Sequence, residues 1–215
     1  MTTNPKIQHP KIPKKLDPVY IAKEIQHEQF FDTGQIEDCE IHGESIEKLT
    51  FDQIVFKNVT FREDSFRFIE LTDVVFDHCD FSNCDFSGAI IHRTEMRECK
   101  FLGTNLSEST FRNVVFDQCF GDYASFGYSD FKQVKFQVCS LCHADFYESK
   151  CKSLSFDQCR VDQANFSGIP LKGIDFSTCS FESLTVSLDK LEGLIVSSEQ
   201  ALAFAKALGL VIKDS

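Results

Sequence analysis

The sequence predicts an all-β solenoid, a chain wound into a square coil and closed by a C-terminal helix. Three observations predict it. From Phe31 to Val196 every fifth residue is apolar, as in Phe51, Phe56, Phe61, Phe66, Leu71, Phe76 and Phe81, and the one clear lapse is Gly121. The phase holds across that whole stretch without an insertion. A longer period of twenty is superimposed, and it aligns Cys79, Cys99, Cys119, Cys139, Cys159 and Cys179 in one column two residues before the central apolar position.

A period of five fits neither regular element. In a strand an odd period turns successive Phe side chains to opposite faces, and in a helix a five-residue step rotates the side chain by about 140°, which smears the ring positions around the axis. The chain must therefore turn once per five residues. Four such turns per circuit account for the period of twenty and place the central and minus-two side chains inside a stacked square coil. At one sheet spacing of about 4.8 Å per coil, about 8.5 coils make a rod of roughly 41 Å.

The flanking segments break the pattern. Residues 1–29 form an arm with prolines at 5, 10, 13 and 18 among lysines; its first part reads as disordered or loosely docked, and Pro18 to Gln29 as a candidate capping helix with Asp17 as N-cap. Residues 30–196 are the coil. Its first turns are less regular, with Glu44 and Asp64 at inward positions where wider turns or backbone hydrogen bonds are expected. In residues 197–215, Ser197 and Gln200 have capping-box spacing, Ala201 to Leu208 is helical in composition, Gly209 stands at the C′ position, and Leu210 to Ile212 reads as a short strand. The apolar surplus of Ala201, Leu202, Ala205, Leu208, Leu210 and Ile212 exceeds what one cap needs, which points to a second copy of the chain.

Composition narrows the class. The chain has 23 Phe and no Trp, a single repeated niche rather than general burial, and a formal net charge of −11 that resides in the coil, since the arm is lysine-rich. No apolar run reaches the length of a membrane span, and ten cysteines without a signal peptide fit reduced thiols in a cytoplasmic core.

Several motifs invite chemistry and are read structurally. Cys139-Ser140-Leu141-Cys142-His143 has the C-x-x-C-H spacing of haem attachment, but Cys139 and Leu141 point inward in the coil register while Cys142 and His143 point outward. The cysteine column stacks its thiols in parallel, whereas tetrahedral zinc needs four ligands converging on one point, so Cys serves as a small filler. No nucleophile and base are spaced to meet, so neither catalysis nor a metal or cofactor is expected. Gly121 removes an inward side chain beside Phe120, Tyr123 and Tyr128; the preferred reading is that Phe120 swings into the gap, the alternative a bulge that makes a contact site.

The outward acids remain. Asp77, Asp117 and Asp157 share one column and Asp122 and Asp162 the next, with Asp80 and Glu98 beside them, while Arg112, Lys132, Lys152 and Lys172 line the opposite corner.

The units Cys84-Asp85-Phe86-Ser87-Gly88, Thr104-Asn105-Leu106-Ser107-Glu108, Ala144-Asp145-Phe146 and Ala164-Asn165-Phe166-Ser167-Gly168 resemble the consensus of the pentapeptide repeat proteins. That resemblance implies a right-handed quadrilateral β-helix. Asp122-Tyr123-Ala124-Ser125-Phe126, Leu171 to Phe176, and the ending from Leu191-Glu192-Gly193 to Ile212 look like the Qnr-type quinolone-resistance proteins of Gram-positive bacteria. The likeness implies a dimer joined through the C-terminal cap that imitates DNA, binds DNA gyrase and topoisomerase IV without binding nucleic acid itself, and protects them from fluoroquinolones. The contact residues expected for such a mimic are those of the outward acidic faces, Asp77, Asp80, Glu98, Asp117, Asp122, Asp157 and Asp162, with Tyr123 beside Asp122. Loops that interrupt the coil in many Gram-negative members are absent from this chain. The alternative is an interaction scaffold for another protein, since a fold does not fix a function.

Overall fold

A computed structural model describes residues 6–21, 25–42, 45–62, 65–207 and 209–211. Each circuit returns the chain to its starting face after twenty residues, and the strands there pair in parallel with no offset: Phe31 lies opposite Phe51, Phe111 opposite Phe131, and Phe136 opposite Phe156. Seven eight-residue strands build this sheet, in the order β1 (Phe30–Glu37), β4 (Thr50–Lys57), β7 (Glu70–Asp77), β8 (Ile90–Arg97), β9 (Thr110–Asp117), β10 (Asp130–Gln137) and β11 (Lys150–Asp157). Short strands β2 (Glu40–His42) with β5 (Thr60–Arg62), and β3 (Ile46–Glu47) with β6 (Phe66–Arg67), line the other faces of the first coils. Later coils hold those faces by single bridges, such as Lys100 to Phe120 and Phe120 to Ser140. The result is a parallel β-solenoid.

The turn inside the described five-residue units up to Gly173 has one cause. The residue two places after the central apolar side chain adopts a left-handed backbone, as in His78 (φ 55°), Asn113 (57°), Gln118 (54°), Val138 (53°) and Gln158 (53°). One such residue bends each eight-residue strand in its middle, so the strand covers two faces of the square.

Stacking fills the interior. Phe116 lies 4.4 Å above Phe136 with the rings nearly parallel, Phe111 4.7 Å from Phe131, and Phe126 4.9 Å from Phe146; all six are fully buried. Aromatic pairs of this kind contribute about 0.5–1.5 kcal/mol beyond the area they bury.

The minus-two column is small because it must also donate. Thr104 Oγ1 donates to the Phe81 carbonyl at 2.8 Å, Ser149 Oγ to Phe126 at 2.8 Å, Ser129 Oγ to Leu106 at 3.1 Å and Cys119 Sγ to Met96 at 3.3 Å, each reaching 23 residues back to the preceding coil. Cysteine thus fills a hydroxyl's place with a weaker donor. All ten cysteines are free thiols. Hydrogen bonding with the thiols of Cys139 and Cys99, and then burial, push the Cys119 thiol up, while burial first pushes Cys151 up to about 12.

Gly121 corrects the expected packing. Phe120 stays 53% exposed, and the gap is filled by Phe101, whose ring would overlap any Cβ placed on Gly121. The coil does not bulge there, because the Lys100, Phe120 and Ser140 bridges keep the twenty-residue register. Phe101 wins because it already stands in the interior column one coil earlier, whereas Phe120 would have to reverse an outward side chain.

The ends differ from expectation too. Among the described residues of 18–29 no helix forms; Pro18 is bridged to Gln35, with Val19 N–H donating to Gln35 O at 2.7 Å and Gln35 N–H to Asp17 O at 3.0 Å, and the chain turns at His27 and Glu28 before entering β1. Pairing with the open edge of β1 satisfies backbone groups that a helix there would leave bare. Glu44, Asp64, Leu208 and Ile212 lie outside the described residues. The C-terminal helix α1 spans Ser198–Ala207. Ser197 N–H donates to Gln200 Oε1 at 2.8 Å and Gln200 N–H to Ser197 Oγ at 3.2 Å, a reciprocal capping box. Gln200 Nε2 donates to the Phe176 and Cys179 carbonyls at 2.8 and 2.7 Å, so the same side chain caps the helix and closes the last coils. Gly209, at φ 82°, donates to Lys206 O and Leu210 donates to Ala205 O, the two bonds of a Schellman stop. Leu210 and Val211 form no strand.

Candidate functional site

The strand register carries one of the expected acidic columns: Asp77 pairs with Arg97, Arg97 with Asp117, Asp117 with Gln137, and Gln137 with Asp157. The carboxylates therefore recur every second coil, about 9.6 Å apart, with Arg97 between the first two. His78 Nδ1 lies 2.6 Å from Asp77 and its Nε2 3.1 Å from Glu98, and the two acids raise the imidazole above its usual range, Asp77 contributing most through its hydrogen bond. Lys135 Nζ approaches Asp157 at 3.3 Å. Asp117 Oδ1 is buried without a hydrogen-bond partner among the described residues.

The neighbouring acids have a structural duty that sequence did not reveal. Asp122 Oδ1 accepts from Ser140 Oγ at 2.6 Å and from Cys142 N–H at 2.8 Å. Asp162 Oδ1 accepts from Glu182 N–H at 2.8 Å and Ser183 N–H at 3.0 Å, and these amides, Ser183 foremost, hold its carboxyl below the usual range. Asp80 accepts from both the N–H and the hydroxyl of Ser82. Cys142, placed outward by the register, is nonetheless buried, packed against Ser140 under the Asp122 bridge.

The same logic explains the Asp or Asn before the central Phe or Leu. Asp85, Asn105, Asp145 and Asn165 each accept an N–H from two residues ahead, at 2.9 to 3.1 Å, and Asn105 and Asn165 also donate to the aspartate one coil back at 3.0 and 2.9 Å. These side chains are Asx turns stacked into a ladder.

An exposed aromatic patch adjoins the acids. Tyr123 stacks on His143 at 4.6 Å, Tyr128 meets Tyr147 edge-on, and Phe120 stands open beside them. At the far end, Ala201, Leu202, Leu210 and Val211 are exposed on the cap and Ala205 is half-buried.

Sequence reasoning missed how the arm lies. Gln8 N–H donates to Asn113 Oδ1 at 3.1 Å, His9 Nδ1 lies 2.5 Å from Glu95 Oε1, and Lys11 N–H donates to Asp73 Oδ1 at 2.9 Å. Arg93 forks onto both oxygens of Asp73 at 2.6 Å, and Arg97 pairs with Glu95. Burial alone would raise both carboxyls, yet these donors outweigh it and hold Asp73 and Glu95 below the usual range.

Among the described residues no three His, Cys, Asp or Glu side chains converge as metal ligands, and no helix is long and apolar enough to cross a membrane.

Comparison with known proteins places this geometry. The family described as pentapeptide repeat region matches over residues 69–146. The uncharacterized protein YisX of Bacillus subtilis (strain 168) is 52% identical over 206 residues, covering 96% of this chain and 97% of that protein. The chain belongs to the pentapeptide repeat family. Among solved pentapeptide repeat structures, a trypsin-treated QnrB1, a plasmid-mediated fluoroquinolone resistance protein, aligns with 93% of this chain and 100% of its own at 18% identity and TM-score 0.43. HetL, involved in heterocyst differentiation regulation in the cyanobacterium Nostoc sp. strain PCC 7120, aligns with 80% of this chain and 93% of its own at 12% identity and TM-score 0.48.

Proposed function

We propose that this pentapeptide repeat protein is a non-enzymatic, cytoplasmic binder of type II topoisomerases that occupies their DNA-binding surface and shields DNA gyrase and topoisomerase IV from fluoroquinolones, acting as a dimer through its C-terminal cap. The observation that carries the reading is the coil-spaced acidic column of Asp77, Asp117 and Asp157 on a rigid, parallel-stacked face. A groove built for phosphates at one charge per about 1.7 Å of duplex accepts a row of carboxylates held at fixed spacing. Glu98 widens the acidic row, and Tyr123 beside it offers a ring for stacking against a partner side chain.

Asp80, Asp122 and Asp162 contribute charge, but their backbone bonds tie them to the coil, so the column carries the contact. Gyrase supercoiling in the presence of a fluoroquinolone, titrated with this protein from stoichiometric to large excess, is expected to recover at low excess. Reversing Asp77, Asp117 and Asp157 to Lys is expected to abolish gyrase binding with the thermal unfolding of the rod preserved. Supercoiling that is neither restored nor inhibited removes the topoisomerase reading; binding that survives the reversal removes the acidic column from it.

A further inference from the structure

The arm lies in a groove whose chemistry is legible. Asn113 and Asp73 stand two coils apart in the corner column of the strand face, a span of about 9.6 Å. Three residue steps of arm, from Gln8 to Lys11, bridge it, which requires about 3.2 Å per step, the rise of an extended or polyproline II chain. Pro10, which has no N–H, sits between the two donating amides. Pro10 and Ile12 face Val55 and Val75 across an open groove of about 440 Å³ that Asp77, Glu95 and Arg97 complete. Under the arm Asp73 and Glu95 are only 4% and 8% exposed. The arm also repeats itself: Pro5-Lys6-Ile7 returns as Pro10-Lys11-Ile12.

We propose that this groove is a peptide-binding site for an extended, basic, proline-spaced segment of a protein partner, and that residues 6–12 are its built-in occupant, which such a segment displaces. The groove supplies side-chain acceptors at two-coil spacing for backbone amides, buried carboxylates for cationic character, and an apolar floor for proline and isoleucine. Residues 8–12 meet these requirements with the amides of Gln8 and Lys11, with His9 against Glu95, and with Pro10 and Ile12 lining the groove. The site borders Asp77 but does not depend on the topoisomerase reading.

The test uses the full chain carrying Gln8→Pro and Lys11→Pro, which deletes both anchoring amides while leaving the groove untouched and keeping an extended backbone accessible. The probe is a fluorescein-labelled synthetic peptide of residues 5–16, followed by anisotropy. The variant is expected to bind it at least tenfold more tightly than the wild-type chain, with a Lys-to-Glu version of the peptide inactive on both. Trypsin cleavage after Lys14 and Lys15 is expected to accelerate in the variant while its circular dichroism and melting match the wild type. Equal peptide affinity for the two chains, or no binding by either, overturns the proposal. Unchanged cleavage overturns the assignment of the two amides as the anchors. No topoisomerase enters the assay, so its result is independent of the supercoiling experiment.

Discussion

At the scale of single residues, this fold uses a left-handed backbone in every described five-residue unit from the start of the coil to Gly173, and most of those corners are occupied by residues with side chains. Asn113, Asn58 and Asn83 accept that conformation readily, but Val138 does not, because a β-branched side chain at φ 53° crowds the following carbonyl. Val138 is also 47% exposed, so its removal forfeits little burial. Val138→Gly is therefore expected to stabilise the rod by up to about 1 kcal/mol, the relief of strain of about 1–2 kcal/mol exceeding the added entropy of the unfolded chain. Equilibrium denaturation of the two proteins measures it, and a loss of stability would locate the corner's strain elsewhere. The inward columns were readable at this scale because each is a repeated niche that tolerates only Phe, Leu or small residues. Gly121 was not, since the ring that compensates for it belongs to Phe101, a full coil earlier, and local order does not say which neighbour fills a gap. Nor did the carboxylates of Asp122 and Asp162 distinguish themselves from surface acids, because their partners are backbone amides twenty residues ahead, which a side-chain pattern does not display.

At the scale of elements, the coil was written in its period, and the capping box and Schellman stop of α1 were written in residue types at fixed offsets. The arm's own echo, Pro5-Lys6-Ile7 and Pro10-Lys11-Ile12, did not say where the arm lies along the rod. Its docking depends on three acceptors, Asn113, Glu95 and Asp73, that come together only after the coil has stacked. Acid is expected to release it. Both Asp73 and Glu95 have folded-state pKa values held below their ordinary 3.8 and 4.5, so their contribution to docking is complete above those values and is lost as pH falls through the depressed ones. The groups facing them are Arg93 and Lys11 at Asp73 and His9 and Arg97 at Glu95, so protonating the two carboxyls removes the acceptors that hold the arm and leaves the basic side chains there unopposed. Amide exchange at Lys11 and Gln8 is expected to remain slow from neutral pH down to the ordinary carboxylate values and to lose its protection only as pH falls below 3.8, before the interior amides of β9 and β10 lose theirs. Simultaneous loss in arm and rod would mean that the arm unfolds only with the coil.

At the scale of the whole molecule, a solenoid whose coils each contact only their neighbours must be ended, and the two ends are closed by different means. The N-terminal edge is paired by Asp17 to Val19, and among the described residues the large apolar side chains exposed there are Tyr20 and Phe30. The C-terminal cap inserts Gln200 and rests Phe204 against Phe181 at 6.0 Å, but leaves Leu202 48%, Leu210 60% and Val211 88% exposed on its outer side. On the proposed dimer, the same element of a second copy would cover these side chains, join two rods end to end and double the length of the acidic column presented to a long partner groove. Sedimentation at micromolar concentration is expected to give a dimer, and Leu202→Glu, which adds a charge to that surface without touching the capping box, to give a monomer with an unchanged melting temperature. If the topoisomerase reading holds as well, the monomer should protect gyrase less effectively than the dimer at equal acid content, because two rods linked at fixed geometry engage a groove as one ligand. A wild-type chain that sediments as a monomer would leave each rod to act alone and would assign the exposed leucines to some other partner.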